Sequence, residues 1–282
     1  MGIVTLVSAS GSPGVTSTAV GLALTWPRPV VLVEADPTGG SGILAGFFRA
    51  STDQRGLIDL VMAHRSGVLA EALPRLLMPV PGSHASVLVG SKAHEQAAGL
   101  ERVWDPLLLA LRGLVAAGQD VIVDAGRLGL DGSPRPLIHD SDLTLLVSRT
   151  TLPALAAARS WARVLGEETL PTHPVRVLLV GEGRPYRSGE VTRTLGLPAL
   201  GSVTWDPARA AVFSDGAPHP HPRPGVGWLL GGEKARAAAF DRSGYLGSVR
   251  AAGEAIRGLW RVADEREARS GSPAPATEGD LR

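Results

Sequence analysis

The chain has 282 residues, 44% apolar but only 4% aromatic, enough for a sizeable core made mostly of Leu, Val and Ala. A formal charge of +1 marks out neither a nucleic-acid nor an acidic-surface binder, and the absence of cysteine excludes disulfides and thiolate metal sites. No apolar run reaches the about 18 residues of a membrane span, and Met1-Gly2-Ile3-Val4 has no signal-peptide layout, so a cytoplasmic protein is expected.

In chain order, Ile3 to Ser8 reads as a buried strand. A Gly-rich turn follows, and hydroxyl residues open a helix from Thr16 to Leu24, ended by Pro27 and Pro29. Pro29 to Glu34 is a second strand, continuously apolar as in a sheet covered on both faces. It leads into Glu34-Ala35-Asp36-Pro37 and a glycine-rich loop. Helix is expected over 43–48 and over 57–77, the latter interrupted near Gly67 and Pro74.

Ser86 to Gly90 is a third strand, and 95–117 carries helical spacing. Asp120 to Gly126 is a fourth strand with Asp124 at its C-terminal end. Leu143 to Ser148 and Val175 to Val180 are the next two, with an Ala-rich helix over 152–165 between them. A short helix over 189–195, a strand over 200–203 and a helix over 206–213 follow. His219 and His221 sit in a Pro-rich loop, 218–224, that reads as solvated rather than metal-binding. An amphipathic helix over 244–266 shows a face suited to packing on a sheet rather than on a membrane. The predicted organisation is one domain over 1–267 and a disordered tail over 268–282.

Strands alternating with helices predict an α/β fold, a mostly parallel, doubly wound sheet with helices on both faces. Ligands of such sheets sit outside the C-terminal strand ends. The loop Gly11-Ser12-Pro13-Gly14-Val15-Thr16-Ser17, Asp36 and Asp124 all fall at such ends. A glycine turn running into a helix N-terminus presents backbone N–H groups to an anion.

Ser10-Gly11-Ser12-Pro13-Gly14-Val15-Thr16-Ser17 resembles the deviant Walker A motif, K-G-G-x-G-K-T-T, of the ParA/MinD family of P-loop NTPases. Glu34-Ala35-Asp36-Pro37 resembles that family's D-x-D-P, and Asp124-Ala125-Gly126 its Walker B strand end. The similarity spans roughly residues 2–264 and includes Leu195 to Asp206 in the family's order. It implies ATP and Mg²⁺ as cofactors, with Gly11 to Ser17 on the phosphates, Thr16 and Asp124 on the metal, and Asp36 orienting the attacking water. It implies a homodimer that meets a protein partner of a partitioning, division or pilus/secretion system. Non-specific DNA is a further possible contact, and peripheral membrane contact is not expected.

Three positions depart from the family pattern. Val15 and Ser10 stand where the two lysines are, and Gly181-Glu182 where an adenine-reading asparagine is. Phosphoryl-transfer catalysis depends on such cations, an arginine finger alone giving about 10³–10⁵ in rate. Weak or absent hydrolysis is therefore expected, with Arg127 and Arg149 as candidate substitutes. Two other readings stay open: an active ATP-dependent dimerising switch, and a Rossmann-type dinucleotide site with Glu34 on the ribose.

Overall fold

Ile3–Ser8 (β1) is buried at every position, with its residues dealt alternately to two cores. Ile3 and Val7 join one apolar cluster, Val4 and Leu6 the other. This is what a strand covered on both faces requires, since successive side chains point to opposite sides. The computed structural model describes residues 1–49, 55–169, 172–221 and 232–270.

After β1 come α1 (Val15–Thr25), β2 (Val30–Glu34), a π-helical turn at Ile43–Phe47, α2 (Leu57–Arg65) and α3 (Leu69–Leu76). Then follow β3 (Met78–Pro79), β4 (Ala85–Leu88), α4 (Ala97–Leu100), α5 (Trp104–Ala116) and β5 (Asp120–Arg127). The second half holds α6 (Arg135–His139), β6 (Leu143–Arg149), α7 (Leu152–Glu168), β7 (Val175–Val180), α8 (Ser188–Leu195) and β8 (Ala199–Val203). Three helices close the described chain: α9 (Pro207–Ser214), α10 (Glu233–Asp241) and α11 (Gly244–Ser270).

The strands form one sheet in the order β3-β4-β2-β5-β1-β6-β7-β8. Among the described strands only β3 runs antiparallel, against β4. Helices α2, α3, α5, α6, α7 and α8 cover one face. Helices α1, α9, α10 and α11 cover the other. The expected doubly wound, mostly parallel α/β sheet is therefore the observed one.

Some local expectations change. The stretch 57–77 breaks once, at Gly67 (φ +71°), whereas Pro74 lies inside α3. Pro74 sits in the second turn, where its missing N–H leaves the Ala70 carbonyl without its i+4 donor, a cost confined to the end of this short helix. The stretch 95–117 is helical but divided into 3₁₀ and α pieces ahead of α5. Elements β3, α6 and α10 were not anticipated. Residues 222–224 of the Pro-rich loop and 271–282 of the expected tail lie outside the described residues, while α11 runs on to Ser270. No described helix is long and apolar enough to cross a membrane. Helix α11 packs against α1 and β8, as its apolar face requires.

Candidate nucleotide and metal site

Sheet register alone brings the site together. Parallel pairing sets Glu34 opposite Asp124 across β2 and β5. Asp36 therefore lies level with Gly126, two residues on. On the other side of β5, Ser8 pairs with Arg127, so the loop after β1 rises beside the same strand end. A cleft of about 690 Å³ opens there, lined by Gly11 to Thr18, Asp36, Gly126 and Arg127. Its far wall carries Arg149, Trp205, Asp206 and Tyr245.

The loop is shaped by two left-handed residues on either side of Pro13: Ser12 (φ +52°) and Gly14 (φ +101°). Gly14 ends the loop as the residue before α1. Its conformation suits glycine, and a Cβ there would also press on Ser17 Oγ at 3.1 Å. The first-turn N–H groups of Val15, Thr16 and Ser17 have no acceptor within the helix. These residues line the cleft together with Gly11, Ser12 and Gly14, and Pro13 has no N–H to contribute. Val15 touches the cleft but is 94% buried, packed into the core under α1.

Asp124 is fully buried. Its Oδ1 accepts from Gly126 N–H at 3.1 Å, and its Oδ2 has no hydrogen-bond partner. Burial pushes its carboxyl up to about 7, reinforced by the charges of Glu34 and Asp36 and opposed by the nearby Thr16 hydroxyl and the Gly126 amide. An orphaned, buried carboxylate oxygen beside a hydroxyl is an oxygen donor set of the kind Mg²⁺ takes. Thr16 and Asp124 thus fit a divalent cation. Among the described residues no cluster of three His, Cys, Asp or Glu residues offers another metal site.

Asp36 holds its own turn, Oδ1 accepting from Thr38 N–H at 2.9 Å and from Thr38 Oγ1 at 2.7 Å. Gly126 makes room for it. At φ +64°, a Cβ on Gly126 would lie 2.2 Å from Asp36 Cγ. Gly126→Ala is therefore expected to displace Asp36 and to weaken any Asp36-dependent activity more than it weakens ligand binding. Parallel titration and turnover assays check this.

Glu34 is spent on structure. Its carboxylate accepts from Ser41 Oγ at 2.6 Å, Ile43 N–H at 3.0 Å and Gly90 N–H at 2.9 Å. It is buried and tethers the π-helical turn to the end of β4, so it does not meet the cleft as a ribose-reading carboxylate would. His219 rests on the Phe240 ring at 5.0 Å.

The far wall is fixed by α11. Thr204 N–H donates to Ser248 Oγ at 2.9 Å, which sets Trp205 at the cleft edge. Asp206 caps α9 by accepting from Arg209 N–H at 3.1 Å. Tyr245 lies against Ser17, and burial pushes its hydroxyl up to about 12. Sequence reasoning assigned no role to Trp205 or Tyr245. One signal was available: Asp206-Pro207 follows a strand end just as Asp36-Pro37 does.

No protein-family model and no curated protein matches the chain. Solved structures do. A ParA family ATPase from Chlorobium tepidum TLS superposes with a TM-score of 0.67 at 15% identity, over 90% of this chain and 97% of that one. The cell division ATPase MinD of Pyrococcus furiosus gives 0.67 at 16%, over 91% and 98%. The septum site-determining protein MinD of Pyrococcus horikoshii OT3, complexed with Mg-ADP, gives 0.65 at 14%, over 93% and 98%. At such identities the likeness is one of architecture: the chain has the fold of the ParA/MinD P-loop ATPases along nearly its whole described length.

Proposed function

We propose that the chain is a ParA/MinD-like nucleotide-binding protein of the cytoplasm that acts in spatial organisation, with ATP hydrolysis weak or lost. Chromosome partitioning, septum positioning and pilus or secretion-system localisation are the processes in its range. One observation carries the reading. Loop residues Gly11 to Ser17 and Asp36 line one cleft, and the orphaned Asp124 Oδ2 lies buried beside Thr16 at its floor, while no lysine stands at position 10 or 15. The mapped MinD with Mg-ADP supports the choice of ligand.

In this reading the loop N–H groups and the α1 N-terminus hold the phosphates. Thr16 and Asp124 would hold Mg²⁺, which would supply charge neutralisation for the phosphates. Asp36 orients water at the open end. The cations that would stabilise the transferring phosphoryl group are missing from the loop, so binding outlasts catalysis. The partner is a second copy of the chain together with a protein of the positioned machinery.

Calorimetric titration with Mg-ATP, followed by a turnover assay, tests this. Micromolar binding with negligible turnover is expected, and measurable hydrolysis that Asp36→Ala abolishes would overturn the inactive reading. Val15→Lys provides a second check. Long lysine stems can lie on apolar surface while the charge reaches out. The substitution is expected to tighten ATP binding about tenfold, as one added charge-assisted contact would. It should also cost about 1–2 kcal/mol of stability through lost core packing, readable by denaturant unfolding without nucleotide.

A further inference from the structure

Arg149 is the last residue of β6, the strand beside β1. Leu146 pairs with Val7, so Arg149 stands level with Ser10, at the entrance of the loop. Neighbouring strands lie about 4.8 Å apart. The Arg149 backbone is held by the next residue: Thr150 is fully buried and its Oγ1 donates to Gly181 O at 2.8 Å and accepts from Arg184 N–H at 3.2 Å.

The side chain has no such anchor. Its guanidinium carbon lies 4.0 Å from the centroid of the Trp205 ring, a cation–π contact. Its Nε is buried without a hydrogen-bond partner, and no carboxylate among the described residues pairs with it. A half-buried guanidinium with only an aromatic face for company is costly until an anion arrives. It lines both the 690 Å³ cleft and a smaller adjoining cavity of about 150 Å³ that Arg184 also lines. Arg127 flanks the loop from the other side, level with Ser8, but is exposed.

We propose that Arg149 is the phosphate-binding cation of this cleft, stored on Trp205 in the free protein and transferred to the ligand's phosphate chain on binding. The proposal rests on the nucleotide-binding reading above and deepens it. A planar guanidinium can engage two phosphate oxygens at once, which suits it to replace a point charge from the loop. Its departure uncovers the indole, so occupancy of the cleft is reported by Trp205.

The test titrates the full chain, with Mg²⁺, against ATP, AMP and inorganic tripolyphosphate, and compares Arg149→Ala, Arg149→Lys and Trp205→Phe. Arg149→Ala is expected to weaken ATP and tripolyphosphate at least tenfold and AMP less. Arg149→Lys should recover part of the loss. A change in tryptophan fluorescence on adding tripolyphosphate should be present in the wild type and missing from Trp205→Phe. Unchanged or tighter ATP binding by Arg149→Ala, or an equal loss for AMP and ATP, overturns the assignment while leaving the nucleotide reading intact. A wild-type protein that binds neither ATP nor tripolyphosphate overturns both.

Discussion

Asp120→Ala is expected to lower unfolding free energy by about 2–4 kcal/mol, chiefly because a buried indole N–H and a backbone N–H lose their acceptor at about 1–3 kcal/mol each, while the half-exposed Arg28 partner regains water. Asp120 begins β5 and is fully buried. It accepts from Gly2 N–H at 3.2 Å, from Trp26 Nε1 at 2.7 Å and from Arg28 through Nη2 at 3.0 Å and Nε. Trp26 in turn meets Trp260 edge-on at 6.0 Å and lies under Arg257. Removing the carboxylate leaves an indole N–H, a backbone N–H and a guanidinium without their acceptor at the point where β1, β5, α1 and α11 join. Asp120→Asn keeps an acceptor oxygen and should cost distinctly less. Urea unfolding followed by tryptophan fluorescence measures both. A loss under 1 kcal/mol for the Ala variant would deny the cluster its structural role. The cluster sits at the N-terminal end of β5, opposite the cleft, so ligand affinity of the folded protein should not change.

The second large effect is a pH dependence centred on Asp124. Its folded-state value of about 7 stands above the ordinary 3.8. Below pH 4 the carboxyl is protonated in both states and carries no penalty. As pH rises from there towards 7, the unfolded chain releases this proton and the folded chain keeps it. Stability therefore falls with rising pH, by an amount on the order of 4 kcal/mol once both states are ionised. Burial raises Glu34 too, which adds to the fall in the same direction.

Asp124→Asn is expected to flatten this profile and to be several kcal/mol more stable than wild type at pH 8 in EDTA. Mg²⁺ should narrow the gap by stabilising the ionised wild-type carboxylate, and should do nothing for the Asn variant. Denaturant midpoints at pH 5 and pH 8, with and without Mg²⁺, read all three expectations. A wild-type profile that is flat, or that rises over the span, would contradict them.

The architecture was legible because the buried strands are continuous Val, Leu and Ile runs, and such runs have few other uses in a chain without a membrane span. Asp36 and Asp124 were legible for a related reason. Asp36 follows β2 and Asp124 lies in the C-terminal half of β5, and parallel strands deliver their C-terminal ends to one edge. The elements missed lack periodic signal. Strand β3 has two residues and takes its meaning from β4. Helix α6 has five, and a helix that short is set by its surroundings. Side-chain direction was the other gap. Nothing in the spacing of Val15 says that it turns into the core. The meeting of Arg149 with Trp205 joins residues from opposite sides of β7 and depends on rotamers that no linear pattern encodes.

The small antiparallel strand has one more consequence. A sheet border is a template on which a further chain can lay itself, because its outward amides and carbonyls go unpaired. Here that border is Met78–Pro79, two residues long, and Pro79 has no N–H to offer. Growth by annealing another β-ribbon alongside is blocked on that flank. A further strand could add only at the other border, β8 (Ala199–Val203), where Ala199 to Val203 carry no proline.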